Sequence, residues 1–522
     1  MILDNVADTR PVILGAGPAG LTAAYEFTKW GIVPVVLEKE SIVGGLSSTR
    51  TYKGFYFDTG GHRFFTKAEA VKRVWNEILG TDFLRRPRMS RIYYAGKFFA
   101  YPLKPLNALL GLGIWQSIRV LCSYIRWQAA PYQQEDTFEQ WVTNRFGKRL
   151  FQIFFESYTE KVWGLSCSEL KAEWAAQRIK DLSLKTALFS MFRKPKTPIK
   201  TLIEDFDYPR LGPGMMWNAV KLTVERGHGV VRTGSDVVAI NRTGRRVDSV
   251  VVVGNGVREL IPGTHFISSI PVTEAVKKID PPPPTEVLAA AQKLTYRDFL
   301  TVVLILKRAD VFPDNWIYVH DPAVRVGRIQ NFKNWSPEMV PDARKTSLGL
   351  EYFCLEGDSV WTTPDRELIE QATRELCTIG LAQPDEIEDG CVVRVPKAYP
   401  VYTSDYAKHL AVVRRFIDDF ENFQTIGRNG LHRYDNQDHA MLTGALAARN
   451  VVLEQRNDVW SINTDAEYHE EVRPQPDRPR TDPVRARSDE VVSVLRGRPD
   501  ARLHRGIAPT IRDDDGAPSW TA

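Results

Sequence analysis

The chain is poor in cysteine. Its five cysteines, Cys122, Cys167, Cys354, Cys377 and Cys391, are odd in number, widely spaced and without a CxxC pair. That excludes a disulfide-stapled scaffold and a zinc ribbon, and no metal centre is expected. A reducing cytoplasm is the natural setting. A basic segment followed by an apolar one is also missing from the start: MILDNVADTR is not the pattern of a secretory signal. No run is long enough to span a bilayer. The longest apolar candidate starts at Pro105 and meets Arg119 after 14 residues, with Arg126 close behind, whereas a span needs about 20. Residues 105–130 therefore read as a buried or amphipathic helix, with peripheral contact at a membrane surface as the alternative. Charge of one sign is lacking too. The 69 Lys and Arg against 64 Asp and Glu leave a net +5, which gives no reason to expect a nucleic acid partner. No internal repeat is present.

What is there is the composition of a globular protein. Of 522 residues, 43% are hydrophobic and 25% charged, enough for a large core. At roughly 100–200 residues per domain, two or three domains are expected. The chain opens as strand, glycine turn, helix, strand: PVIL at 11–14, GAGPAG at 15–20, LTAAYEFTKW, then IVPVVL at 32–37. From about 85 to 205 the pattern is helical. The stretch TFEQWVTNRFGKRLFQIFFESYTEKVW keeps apolar residues at three- and four-residue spacings, and Thr137 with Gln140 fits a capping box. Strand-like runs return at 229–240, 247–253 and across 295–395, and helices near 405–420 and 436–450. Residues 464–522 hold ten Arg, no Lys and repeated Pro. Their apolar content is too scattered for a core and predicts disorder, with a short helix near 488–496.

GAGPAG is a GxGxxG fingerprint. Gly15 permits the tight turn, Gly17 lets backbone approach a pyrophosphate, and Gly20 lets helix pack on strand; Pro18 and Ala19 open the helix whose N-terminus faces the phosphates. Glu38 and Lys39 end the second strand, where a carboxylate can take a ribose hydroxyl. The context on both sides raises this above a chance glycine turn. Gly44, Gly45 and Leu46 follow, then Gly60, Gly61 and His62 in FYFDTGGHRFF. A glycine pair just after the ribose-binding strand looks like the FAD enzymes of the amine oxidase and glutathione reductase class. A second half-site is expected in IGRNGLHRYDNQDHAMLTGALAARNV at 426–451, where Gly427, Arg428, Asn436 and Gln437 precede a helix whose N-terminus could stabilise negative charge on a flavin ring.

Taken in order, GAGPAG, GGLSST, DTGGHRFF, YPL (101–103), TFEQW (137–141), EKVWG (160–164), EWAAQR (173–178), YPRLGPGMMW (208–217), RIQNFKNWSP (328–337) and GRNGLHRYDNQDH (427–439) resemble the UDP-galactopyranose mutase family, within the wider amine oxidase and protoporphyrinogen oxidase superfamily. The resemblance implies redox-neutral catalysis, in which reduced FAD attacks the anomeric carbon of a nucleotide-diphospho-sugar through N5 while pyranose and furanose forms exchange. NADPH or NADH is the implied reductant, and cell-surface glycan synthesis the implied setting. Arg178 and Arg328 look like the two arginines that hold the substrate diphosphate, which needs fixed, persistently charged donors. Tyr318, Tyr434 and either Tyr399 or Tyr402 look like diphosphate-binding tyrosines. His62 matches the histidine beside the flavin N5. Trp163, Trp174, Trp217 and Trp335 could stack on a base or sugar, although such aromatics are more often core.

Two positions depart from the family. Where the eukaryotic-type mutases carry a Gln and an Asn toward uridine, this chain has Lys104 and Thr159. Lys only donates and Thr is shorter, so the nucleotide is left open, and a lipid-diphosphate carrier with it. The rival expectation is a net FAD oxidoreductase of the amine oxidase or protoporphyrinogen oxidase class. The expected architecture is α/β: a discontinuous Rossmann-like FAD domain (1–84, 207–290, 396–463), a helical insertion (85–206), a mainly β substrate domain (291–395) and the tail (464–522).

Overall fold

The computed structural model describes residues 8–101, 103, 105–172, 205–403 and 405–462. Lys104, Trp174, Arg178 and the whole stretch 464–522, with its expected short helix, lie outside them.

Strand β1 (Pro11–Leu14) is fully buried and feeds helix α1 (Pro18–Lys29), with Pro18 at its first turn. Strand β2 (Val35–Leu37) returns parallel to β1. These form the centre of a five-stranded, all-parallel sheet in the order Phe423–Thr425, His265–Ser268, β1, β2, Val230–Arg232. The sheet thus takes strands from three separated stretches of chain. Apolar runs of three or four residues suffice because both faces are covered: Ile13, Val36 and Ile267 pack against helices, while Val12, Leu14, Leu37 and Phe266 pack mainly against Val237, Ile240, Val250 and Val252 of a four-stranded sheet. α1 packs on the helix Gly214–Arg226 and on the last long helix, Gln437–Val452. Small residues set that last contact: a Cβ on Gly444 would lie 2.2 Å from the carbonyl oxygen of Ala19.

A second, seven-stranded sheet is mostly antiparallel. Its order is Ile387–Pro400, Tyr296–Leu306, Thr346–Cys354, Arg328–Asn331, Trp316–Val319, Ser90–Tyr94, Lys97–Ala100. The last two strands lie in the stretch expected to be helical. A two-residue turn at Ala95 and Gly96, both at positive φ (48° and 74°), closes them into a hairpin, the geometry that matches strand twist. Its first strand, Ser90–Tyr94, joins Trp316–Val319 in parallel, and Lys97–Ala100 forms the sheet edge.

The remaining helical segment is more broken than its periodicity suggests. The expected capping box at Thr137 and Gln140 starts a helix at Phe138. Gly147 (φ 79°) stops it at Phe146. A short helix, a π turn at Gln152–Glu156 and the helix Ser157–Trp163 follow. Residues 105–129 form two helices, Pro105–Leu112 and Ile114–Ala129, parted at Gly113 (φ 81°). Among the described residues, no helix is long and apolar enough to cross a membrane, and no cluster of three or more His, Cys, Asp or Glu could hold a metal.

Candidate active site

The glycine loop is built for close approach. Gly15 sits at φ 99°, and a Cβ on Gly20 would lie 2.0 Å from the Gly15 carbonyl oxygen, so helix and loop meet backbone to backbone. Glu38 is buried and holds the loop: one carboxylate oxygen accepts from the Ala16 amide at 2.7 Å, the other from the Glu40 amide at 3.0 Å. Burial raises its pKa, against the pull of the two amides. A carboxylate has about four acceptor positions, so Glu38 retains capacity for a ribose hydroxyl. The Gly44 amide donates to the Ala16 carbonyl (2.9 Å), folding the Gly44–Gly45 pair over the loop. The far end of the chain arrives at the same place. A Cβ on Gly427 would stand 2.8 Å from the Ala19 Cβ, and Asn436 caps the helix Gln437–Val452 with a capping box to His439.

Between these elements lies a cavity of about 1250 Å³. A site for one small ligand spans roughly 300–1,000 Å³, so this cavity has room for a dinucleotide and a second ligand. Its walls include the loop residues Gly15, Gly17, Pro18 and Ala19, then Glu38, Lys39, Gly45, Leu46, Gly60 and Gly61, and Gly427, Arg428, Asn436 and Gln437 from the C-terminal side. Gly20 and Gly44 support the loop from behind and do not face the cavity. These residues fit a dinucleotide whose pyrophosphate rests at the N-terminus of α1.

The second part of the cavity is aromatic and cationic. Arg328 and Glu351 face each other across two antiparallel strands. The Glu351 carboxylate accepts from Arg328 Nε at 2.8 Å and Nη2 at 2.5 Å, and from Gln330 Nε2 at 2.9 Å. Burial works against the charge on Arg328, but the Glu351 carboxylate overrides it and holds the guanidinium firmly protonated. Tyr318 lies within ring contact of Tyr158 (5.5 Å) and Tyr101 (4.8 Å). Tyr399 stacks on Tyr434 at 5.7 Å, and the Arg428 guanidinium sits over both rings. Burial raises the phenol pKa of Tyr158 and of Tyr399, keeping both as neutral donors. The Tyr402 hydroxyl accepts from the Tyr434 amide at 2.7 Å, so it fixes backbone as well as lining the wall. His62 faces the cavity. Desolvation first, then Arg428 and Arg328, push its pKa down to about 3, so its imidazole is neutral. Its Nδ1 has no hydrogen-bond partner among the described residues.

Thr159 is buried and lines the cavity, one residue beyond Tyr158 and just after the π turn. The tryptophans divide differently. Trp217 is fully buried edge-on to Trp75 (5.8 Å) and does not reach the cavity. Trp163 packs in the core with Phe138 and Phe151, also away from it. Trp335 borders the cavity, but its indole N–H donates to the Asn315 carbonyl and its ring is covered by Trp316, Phe206 and Tyr208. None of the three has a free face for a base. Sequence reasoning missed Glu351, whose position follows only from strand register. It also missed Arg63, the residue after His62, which lies over the Trp316 ring at 5.5 Å and is lowered to about 10 by burial.

A two-ended glycine cradle on a parallel sheet, with an acidic residue closing the ribose strand, defines a dinucleotide-binding flavoprotein fold. The chain belongs to the flavin-containing amine oxidoreductase family, whose model matches residues 18–452. A 15-cis-phytoene desaturase from an Oncidium hybrid cultivar is 32% identical over 106 residues, 20% of this chain and 17% of that protein. A probable UDP-galactopyranose mutase from Klebsiella pneumoniae is 28% identical over 176 residues, 31% of this chain and 42% of that protein. The chain therefore spans less than half the length of these curated relatives. Among solved structures, reduced UDP-galactopyranose mutase superposes with a TM-score of 0.75 at 22% identity, covering 87% of this chain and 98% of that one. A putative protoporphyrinogen oxidase from Exiguobacterium sp. 255-15 gives 0.65 at 17%, covering 86% and 99%. The fold is the one shared by reduced UDP-galactopyranose mutase and the flavin-containing amine oxidoreductase family.

Proposed function

We propose that the protein is an FAD-dependent isomerase that interconverts pyranose and furanose forms of a nucleotide-diphospho-sugar, with UDP-galactose as the reference substrate. The observation that carries this reading is the wall of Arg328, Tyr158, Tyr318, Tyr399 and Tyr434 in the same cavity as the dinucleotide cradle. Reduced flavin, when bound, supplies the nucleophile for the anomeric carbon. The chain's own residues bind and orient. Breaking the anomeric C–O bond adds negative charge to the diphosphate, and Arg328 with the neutral phenols supplies donors for it. Glu351 takes two of the Arg328 N–H groups and fixes the direction of the rest. The neutral His62 adds no third charge beside Arg328 and Arg428 and can hold one hydrogen bond at Nδ1. Arg178 is assigned the partner position in the diphosphate clamp on the family resemblance. NADPH or NADH is the proposed reductant.

The test is turnover of UDP-galactofuranose to UDP-galactopyranose by the dithionite-reduced protein, followed by chromatography. Absence of both turnover and UDP-sugar binding refutes UDP-galactose as substrate. The second reading is a net oxidoreductase, favoured by Thr159 at the cavity wall in place of an amide. It predicts flavin reduction by the substrate and peroxide release in air.

A further inference from the structure

Let α2 denote Pro105–Leu112 and α3 denote Ile114–Ala129. Their outer face is apolar and uncovered. Leu110 is 73% exposed, Ile114 74%, Trp115 78% and Ile125 66%, with Ile118 and Cys122 exposed between them. The spacing 115, 118, 122, 125 puts these on one side of α3, while Val120 turns inward and is fully buried. Scattered exposed apolar residues need no explanation, but a contiguous stripe on one helix face does. The charge of the surrounding sequence has one sign, although Arg85 and Arg91 are answered by Asp205 and Asp314 from other parts of the chain. From Phe83 to Gln134 the chain contains eight Lys and Arg and no Asp or Glu. Arg119 and Arg126 are exposed on α3, and no carboxylate is bonded to either among the described residues.

We propose that α2 and α3 dock the protein onto an anionic lipid surface. At 16 residues, α3 is about 24 Å long, too short and too charged to cross the bilayer but suited to lie in its interface. Trp115, Ile118 and Ile125 enter the acyl boundary, and Arg119 and Arg126 reach lipid phosphates. A second copy of the chain is a poorer occupant. A two-fold contact through this stripe would set its arginines near their own copies with no carboxylate in the stretch to answer them. Tyr101 and Leu103, just ahead of α2, line the cavity, so docking brings that edge of the cavity toward the headgroups. The proposal stands independently of the sugar chemistry.

The test uses the full chain and sucrose-loaded vesicles, either pure phosphatidylcholine or an equal mixture with phosphatidylglycerol. Cys122, the one exposed cysteine among the described residues, carries an environment-sensitive fluorophore. Co-sedimentation with the anionic vesicles, with a blue shift of the label and loss at high salt, is expected. Ile118→Glu should weaken binding at least tenfold, and Arg119→Glu with Arg126→Glu by about fivefold or more per arginine, all with an unchanged flavin spectrum as the check on folding. Absence of binding to anionic vesicles overturns the proposal. So does binding indifferent to these substitutions, or a concentration-dependent dimer that Ile118→Glu dissolves in a protein that ignores lipid.

Discussion

The Arg328–Glu351 pair is the most exacting feature of the cavity, and its removal has a calculable consequence. Glu351 is fully buried and Arg328 mostly so, its side chain 16% exposed where it meets the cavity. Three N–H groups converge on one carboxylate, at 2.8, 2.5 and 2.9 Å. Glu351→Ala strands the guanidinium without its counter-charge, at a cost of about 3–5 kcal/mol. It also leaves the Gln330 amide without its acceptor, at roughly 1–3 kcal/mol. Arg328→Met strands the carboxylate instead, at about the same 3–5 kcal/mol. The double variant Arg328→Met/Glu351→Leu removes both charges and should cost far less than the sum. Urea unfolding of the four proteins should therefore give a coupling energy on the order of 3 kcal/mol. Single costs below about 1 kcal/mol that add without coupling would exclude a desolvated, mutually dependent pair. They would mean that the pair is solvated and that Arg328 is not held in place by Glu351.

Arg328→Ala should leave flavin bound while lowering kcat for UDP-galactofuranose by about 10²–10³; unchanged kcat contradicts its role. Gly444→Val, whose Cβ would meet the Ala19 carbonyl at 2.2 Å, should push α1 from the C-terminal helix and cost about 1–3 kcal/mol, read as weaker flavin retention on gel filtration. Asp58 is buried, accepts from Tyr208 at 2.5 Å and Thr49 at 3.0 Å, and is raised to about 7 by burial. A raised carboxylate pKa favours the fold at pH below about 4 and withdraws that contribution as pH rises to 7, a difference of up to roughly 4 kcal/mol. Asp58→Asn should therefore gain stability relative to the parent between pH 4 and 8, and parallel melting profiles would contradict this.

The parts of the fold legible in the sequence were those with local causes. Gly15, Gly17 and Gly20 mark a turn whose chemistry is contained in six residues, and Glu38 follows from the length of one helix and one strand. The Thr137–Gln140 box is equally local. The hairpin at 90–100 was hidden because SRIYY and KFFA are short and adjoin helical periodicity, and only the positive-φ turn at Ala95 and Gly96 separates them. Glu351 could not be found at all from its neighbours. It meets Arg328 through the pairing of two strands whose register depends on the whole sheet. The tryptophans show the converse: Trp217 and Trp335 sit in quoted motifs, yet their rings fill the core. Motif membership does not distinguish a wall from a support, whereas contacts do.

In the proposed reaction a reduced flavin and the Arg328–tyrosine wall act in one cavity without net electron flow. Anaerobic assay of the protein with UDP-galactofuranose, before and after stoichiometric reduction, addresses it directly. The expected result is no product from the oxidised protein, many turnovers to UDP-galactopyranose from the reduced one, and a flavin still reduced at the end. Flavin reduction by a substrate in the oxidised protein, with peroxide released on admitting air and no sugar isomerised, would contradict it.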